Sequence, residues 1–290
     1  MKILCFGSCN IDYFYDVPHM VRPGETLSSE TLTISNGGKG LNQSIALAKA
    51  GGDVYHAGLI GPDGQRLLDA LKEHGVKVPY VGEVATPSGH AIIQRSNDGE
   101  NAIVLFKGAN HEISRSFIDE VLANFEAGDI LLLQNEINEI AYLIEQAAAR
   151  GLAVAMNPAP FAKEILQLPL EKLTYLIVNE IEGQELSGES EPDAILNRLT
   201  TDYKNTHIIL TLGAEGVVYG YEECRQSFDA IQVEAIDTTA AGDTFIGYFL
   251  SGVASGLNIE ESLKLGIKAS SITVTRKGSS ESIPRRSELD

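Results

Sequence analysis

Asp237-Thr-Thr-Ala-Ala-Gly-Asp-Thr-Phe245 is the stretch on which the reading of this chain turns. The apolar run Ile231 to Ile236, with strand character, leads into it, and a helical pattern (Phe245, Phe249, Leu250, Val253) leads out. Between them stand two alanines and a glycine, small enough for a ligand to reach the backbone. A helix start offers unpaired N–H groups and the positive end of the helix dipole, so an anion can sit there. Asp243 conflicts with that use, since its carboxylate repels anions. The conflict resolves if Asp243 faces a neutral hydroxyl and accepts its proton as that hydroxyl attacks a phosphoryl group. The competing reading is that Asp237 or Asp243 caps the helix, as Asp commonly does. It leaves the Ala240-Ala241-Gly242 run unexplained.

Two hundred residues upstream, Asn36-Gly-Gly-Lys-Gly-Leu-Asn42 stands between an alternating stretch (Glu30 to Ser35) and a helix with Ile45, Leu47, Ala48 and Ala50 on its apolar face. Several glycines at a strand-to-helix turn again let a ligand approach the backbone. The pattern is neither Walker A nor GxGxxG, which disfavours P-loop and dinucleotide readings. The first strand, Ile3 to Phe6, exits into Asn10 and Asp12. Two apart in an extended chain, these point the same way and suit vicinal hydroxyls, although Asn and Asp also simply form turns.

The remaining pattern is that of an α/β protein. Strands are expected at Val54 to Gly61, Ile130 to Leu133, Leu152 to Met156, Tyr175 to Val178 and His207 to Leu212, the last with a hairpin partner at Gly216 to Gly220. Helices are expected over 63–74, 114–126, 138–150, 192–203 and 259–275. This rhythm predicts a mostly parallel central sheet covered by helices on both faces. Gln134 to Glu136, Asn157, Asn179 to Glu182 and Thr211 to Gly213 then fall on one crevice edge. Four segments break the rhythm: Ile11 to Val17, Glu30 to Ser35, Gly89 to Arg95 and Ala102 to Phe106. The last two flank a hairpin signal, Ser96-Asn-Asp-Gly-Glu-Asn101. They predict a small β-sheet lid, about 11–36 and 88–107, within a single domain spanning 1–290.

The formal charge of −18 argues against a nucleic-acid partner, because no basic surface is available for phosphates. No apolar run reaches membrane-spanning length. Three cysteines without metal spacing, with Cys5 and Cys9 read as packed thiols, point to a reduced cytoplasmic protein.

GGKGLNQSIALAKAGG and DTTAAGDTF, with GSCNID, RPGET, GPDG, KGAN, NPAP, NEIE, TLGAEG and TVTRKG in order between and beyond them, resemble the ribokinase-like carbohydrate kinase family almost end to end. The resemblance implies transfer of the ATP γ-phosphoryl group to a primary sugar hydroxyl, with magnesium and a monovalent cation such as potassium. It implies Asp243 as catalytic base and Ala240, Ala241 and Gly242 as the anion hole. Asn10, Asp12, Gly38, Lys39, Asn42 and Glu136 are implied to hold sugar hydroxyls. Asn179 and Glu182 stand near magnesium and the phosphates, and Thr211, Gly213 and Gly216 on the nucleotide side. Counterparts of the potassium site are Asp237, Thr239, Thr273, Arg276, Gly278 and Ser282, several through backbone carbonyls. Ribose is the simplest acceptor; a nucleoside or hexose kinase of the same family and a non-catalytic sugar or nucleotide sensor are the alternatives. His90 and the aromatic Tyr13-Phe14-Tyr15 depart from the family pattern, and an aromatic lid suits a ring to stack upon. The exposed edge of such a lid also suits a homodimer contact.

Overall fold

In the computed structural model, which describes residues 1–98 and 100–289, strand after strand ends at the same edge and hands a polar group to one crevice. The main sheet contains β1 (Lys2–Phe6), β4 (Asp53–Ile60), β5 (Lys77–Glu83), β8 (Ile130–Gln134), β9 (Ala153–Asn157), β10 (Tyr175–Asn179), β11 (His207–Thr211), β12 (Val217–Tyr221) and β13 (Cys224–Phe228). Their order is β13-β12-β11-β10-β9-β8-β1-β4-β5, parallel except for the last two strands of the chain. The chain moves from β1 outward to β4 and β5, then returns to the other side of β1 with β8. That reversal makes the β1/β8 gap the topological switch point, where open α/β sheets open a crevice.

Alternate residues of each buried strand enter opposite cores. Leu4 and Phe6 of β1, with Leu131 and Leu133 of β8, pack under α3 (Arg115–Leu122), α4 (Ile140–Ala149), α5 (Glu180–Ser187) and α6 (Pro192–Asp202). Ile3 and Cys5, with Ile130 and Leu132, pack under α1 (Lys39–Lys49), α2 (Gln65–Glu73), α7 (Ala241–Ala254) and α8 (Ile259–Thr273). Each such buried aliphatic contributes about 1.5–3 kcal/mol of transfer free energy.

On that second face α1 and α7 cross at Gly247. A Cβ there would stand 2.8 Å from the Ala46 carbonyl carbon and from Leu47 N, and closer still to Ala46 Cβ. Only a glycine lets the two helices approach this closely, and both carry site residues in their first turns.

The four segments that break the βαβ rhythm form a separate sheet: β3 (Thr31–Gly37), β2 (Asn10–Val17), β6 (Gly89–Ser96) and β7 (Asn101–Phe106), in that order. The 96–101 turn includes Gly99, which lies outside the described residues.

Several expectations are corrected. Ile231 to Ile236 is not a strand; it runs irregularly, with Ile231, Val233 and Ile236 exposed. Strands β5 and β13 and helix α5 were not expected. β5 carries Pro79, which argues against a strand in sequence but is tolerated on a sheet edge, where β5 lies. Helix α3 ends at Leu122, short of the expected 126. Among the described residues, no helix is long and apolar enough to cross a membrane.

Candidate active site

The crevice is assembled where α1 begins. Gly38 adopts φ +89°, and a Cβ on it would lie 3.0 Å from Ser8 Oγ and 3.1 Å from Asn10 N. A Cβ on Gly40 would lie 2.6 Å from the Gly7 carbonyl carbon. The absence of side chains therefore seats the helix start directly on the end of β1. Glu136, just beyond β8, closes the switch point: its Oε2 accepts from Lys39 N at 2.8 Å and from Ser8 Oγ. Burial raises the Glu136 carboxyl above its ordinary value, although these donors and the Lys39 charge pull the other way.

Around this junction several polar groups lack protein partners among the described residues. Asn42 Oδ1 is buried and accepts no hydrogen bond among the described residues. Asp12 accepts none among the described residues, and it packs against Gly37, where a Cβ would come within 2.5 Å of its Cγ. Burial, with the Glu136 charge, pushes the Asp12 carboxyl up to about 6. Asn10 is turned by Asn110, whose Nδ2 donates to Asn10 Oδ1 at 2.7 Å, and the Asn10 amide hydrogens meet no acceptor among the described residues. Unsatisfied buried polar atoms are rare unless a ligand completes them. This set of acceptors and one amide donor matches a polyol.

Asp243 lies in the first turn of α7, nearly buried. Its Oδ1 accepts from Gln43 Nε2 at 2.9 Å and its Oδ2 from Asn42 Nδ2 at 3.2 Å. No side chain caps this helix; the capping position is Ala240, held at φ +59°. That left-handed conformation costs a non-glycine residue about 1 kcal/mol or more and points to a constraint from function. Ala241 N donates to Thr238 O at 3.2 Å, whereas the N–H groups of Gly242 and Asp243 meet no acceptor among the described residues. A Cβ on Gly242 would meet nothing within 4 Å.

A mainly polar cavity of about 240 Å³ opens there, lined by Lys39, Asn157, Asn179, Glu182, Ala240 and Asp243 among others. Burial works against the charge of Lys39, but the carboxylates of Asp243, Glu136 and Glu182 outweigh it and raise its pKa. Glu182 forms a reciprocal cap with Asn179: Glu182 N donates to Asn179 Oδ1 at 2.8 Å, and Asn179 N to Glu182 Oε2 at 3.0 Å. Burial raises the Glu182 carboxyl as well. Its Oε1 takes a single hydrogen bond, from Asn179 Nδ2 at 3.2 Å, and so keeps capacity for a hard cation and its waters.

A second, largely apolar cavity of about 270 Å³ adjoins the first and shares Thr211, Thr238, Gly242 and Phe245 with it. Gly213, Gly216, Val217 and Ile267 line it, and so do Ile231 and Val233. The misread apolar run therefore serves as a cavity wall. Gly216, at φ +111°, turns so tightly that a Cβ would lie 2.7 Å from Ala230 N.

Behind the α7 start, Asp237 Oδ1 accepts from Thr239 N at 2.9 Å and Oδ2 from Gly278 N at 3.1 Å. The carbonyls of Thr239, Arg276 and Gly278 accept no hydrogen bond among the described residues, a donor set that fits a weakly hydrated cation. Other expected members turn elsewhere. Thr273 Oγ1 bonds Thr244 and Ala269, the Arg276 guanidinium pairs with Glu288, and Ser282 Oγ donates to Ser279 O.

The lid aromatics pack on one another: His90 contacts Tyr13 edge-on at 6.0 Å and Phe106 at 5.0 Å. Strand register places this cluster on the face opposite Asp12.

Sequence reasoning gave no role to Ser8, Gln43 or Asn110. Gln43 stands four residues before Leu47, on the same face of α1, and is fully buried, but its polar side chain masked that position in the sequence.

The description "pfkB family carbohydrate kinase" matches residues 1–286. This chain belongs to the pfkB family of carbohydrate kinases. Among pfkB relatives, the ribokinase of Haemophilus influenzae is 35% identical over 97% of this chain and 95% of its own length. Among solved structures, ribokinase from Cryptococcus neoformans in complex with ADP superposes with a TM-score of 0.88 at 36% identity, covering 99% of this chain and 98% of that one. Arabidopsis thaliana ribokinase complexed with ribose and ATP gives a TM-score of 0.88 at 29% identity, covering 99% of this chain and 97% of that one.

Proposed function

We propose that this kinase transfers the γ-phosphoryl group of ATP to the primary hydroxyl of D-ribose, giving ribose 5-phosphate and ADP. The observation that carries this reading is the position of Asp243. Its carboxylate is held by Asn42, one of the groups suited to a polyol, and lines the polar cavity with Gly242, where the N–H groups of Gly242 and Asp243 meet no acceptor among the described residues.

Asn10, Asp12, Asn42 and Glu136 hold the sugar hydroxyls, and Gly38 and Lys39 bring the α1 backbone against them. Asp243 accepts the proton of the attacking hydroxyl. The α7 start, Ala240 to Gly242, receives the charge that develops on the migrating group, with Lys39 beside it. Donors fixed where charge appears stabilise a transition state by about 3–4 kcal/mol each. The apolar cavity takes the base of the nucleotide, with Thr211, Gly213 and Gly216 along its edge. Glu182 and Asn179 are the residues suited to hold magnesium, which when bound neutralises charge on the β- and γ-phosphates. Asp237 and the free carbonyls of Thr239, Arg276 and Gly278 suit potassium, with Thr273 and Ser282 shaping the loop around it.

The small sheet closes over the sugar and excludes water. Its outer face carries the exposed Leu32, Ile34, Ile92, Val104 and Phe106, an apolar patch that a second copy of the chain would cover. A cytoplasmic setting suits the free Cys5, Cys9 and Cys224.

The test is phosphorylation of a panel of ribose, fructose and nucleosides with ATP. Ribose is expected to give the highest kcat/KM, and preference for a nucleoside or hexose would overturn the assignment of the acceptor.

A further inference from the structure

Gln43 is the meeting point of a buried chain of amides behind Asp243. Its Nε2 donates to Asp243 Oδ1 at 2.9 Å and to Asn157 Oδ1 at 3.3 Å, and its Oε1 accepts from Gln134 Nε2 at 2.7 Å. The direction of every link is forced. A carboxylate only accepts. The Asn157 amide hydrogens are committed to Ile177 O at 3.1 Å and Glu182 Oε2 at 3.3 Å, so its oxygen must face Gln43. Both hydrogens of Gln43 Nε2 are then in use, and its oxygen must face Gln134. Turning the Gln43 amide over would set oxygen against carboxylate.

Gln134 supplies an independent sign that this chain is retained for more than packing. Its Oε1 is buried and accepts from no group among the described residues. An unmade acceptor is destabilising, so the amide at this position costs stability for the sake of the hydrogen bond that its Nε2 gives to Gln43 Oε1.

We propose that Gln43 is a positioning residue for phosphoryl transfer, with Gln134 as its anchor. It holds Asp243 Oδ1, so that Oδ2, kept only by the longer contact from Asn42, is the oxygen turned to the acceptor hydroxyl. In the step, the hydroxyl proton passes to Asp243 Oδ2, the bond from the hydroxyl oxygen to phosphorus forms, and the bond from phosphorus to the ADP oxygen breaks. The inference rests on the reading of Asp243 as the base.

Steady-state kinetics of Gln43→Leu, Gln134→Met and Asp243→Asn test it, together with sugar and ATP affinity by calorimetry. Gln43→Leu is expected to lower kcat by about ten-fold or more, the size of one lost hydrogen bond to a charged group, while both KM values stay within about two-fold. Gln134→Met, which removes the unmade Oε1 acceptor but leaves Gln43 Oε1 without its donor, is expected to lower kcat by a smaller factor at unchanged KM, with thermal stability equal to or below that of the wild type. If Gln43→Leu does not fold, Gln134→Met carries the test, and an unaltered kcat there overturns the proposal. Wild-type kcat in Gln43→Leu, or a loss seen only as raised KM, also overturns it. Near-normal turnover in Asp243→Asn would instead sink the underlying assignment of the base.

Discussion

Replacing Gly247 by alanine adds one methyl group at the crossing of α1 and α7, one helical turn beyond Asp243, and is expected to reach the chemistry through the helices. In a helix interior, Gly→Ala usually stabilises by about 1 kcal/mol. Here the new Cβ would lie 2.8 Å from the Ala46 carbonyl carbon and Leu47 N, backbone atoms that no rotamer change can move. Ordinary contact begins near 3.4 Å, so the helices must part by at least about 0.6 Å. Overpacking of this kind costs up to about 3 kcal/mol, leaving a net loss of about 1–2 kcal/mol after the propensity gain. With unfolding entropy near 2.1 cal/mol/K per residue, that lowers Tm by about 2–3 °C for this chain. The same shift stretches the 2.9 Å bond from Gln43 Nε2 to Asp243 Oδ1 toward about 3.5 Å, where a hydrogen bond is largely lost. The expected result is a kcat about ten-fold lower or more, with the modest fall in Tm, read by steady-state kinetics and thermal unfolding. A variant with unchanged Tm and unchanged kcat would refute the claim that this glycine sets the distance between the two helices.

Gly242→Ala is the complementary case: its Cβ meets nothing within 4 Å, so Tm should hold or rise. The methyl group would nevertheless enter the phosphoryl cavity, and kcat should fall with a higher KM for ATP; unaltered kinetics would count against the anion hole. The pH dependence of sugar binding should follow Asp12, whose carboxyl stands at about 6. As pH falls through 6 it takes a proton and ceases to be a full acceptor, so KM for the sugar should rise while KM for ATP does not. Because this pKa is raised on folding, the same group makes the sugar-free protein less stable as pH rises from about 4 to 6, a slope that thermal unfolding can check. Exchanging potassium for tetramethylammonium at constant ionic strength should lower kcat, and an indifferent rate would remove the cation site behind Asp237.

The strands whose apolar runs end in a polar residue were readable because burial on both faces writes a continuous hydrophobic run and the crevice writes its end. Gln134, Asn157, Asn179 and Thr211 all stand at that edge, paired in register across the sheet. The elements that sequence reasoning missed are those whose local signal is contradicted by position. Pro79 is harmless on the edge strand β5, and α5 is a short helix with a weakly apolar face. Ile231 to Ile236 has the composition of a strand but serves as the wall of the apolar cavity, which only the fold reveals. Motif residues of the site were visible because glycines and carboxylates at helix starts have few structural uses. Gln43, Gln134 and Asn110 act on other side chains rather than on the ligand. Their partners lie between 91 and 200 residues away in the chain, apart from the local ties of Gln43 within α1, and no spacing encodes them.

Turnover of Asp243→Asn with ribose and ATP bears most directly on the account. The substitution preserves shape and removes the ionised acceptor. The expected result is a kcat lower by about 10²–10⁴-fold, with ribose and ATP affinities by calorimetry within a few-fold of the wild type. A kcat within about ten-fold of the wild type would contradict the assignment of this carboxylate as the group that takes the proton.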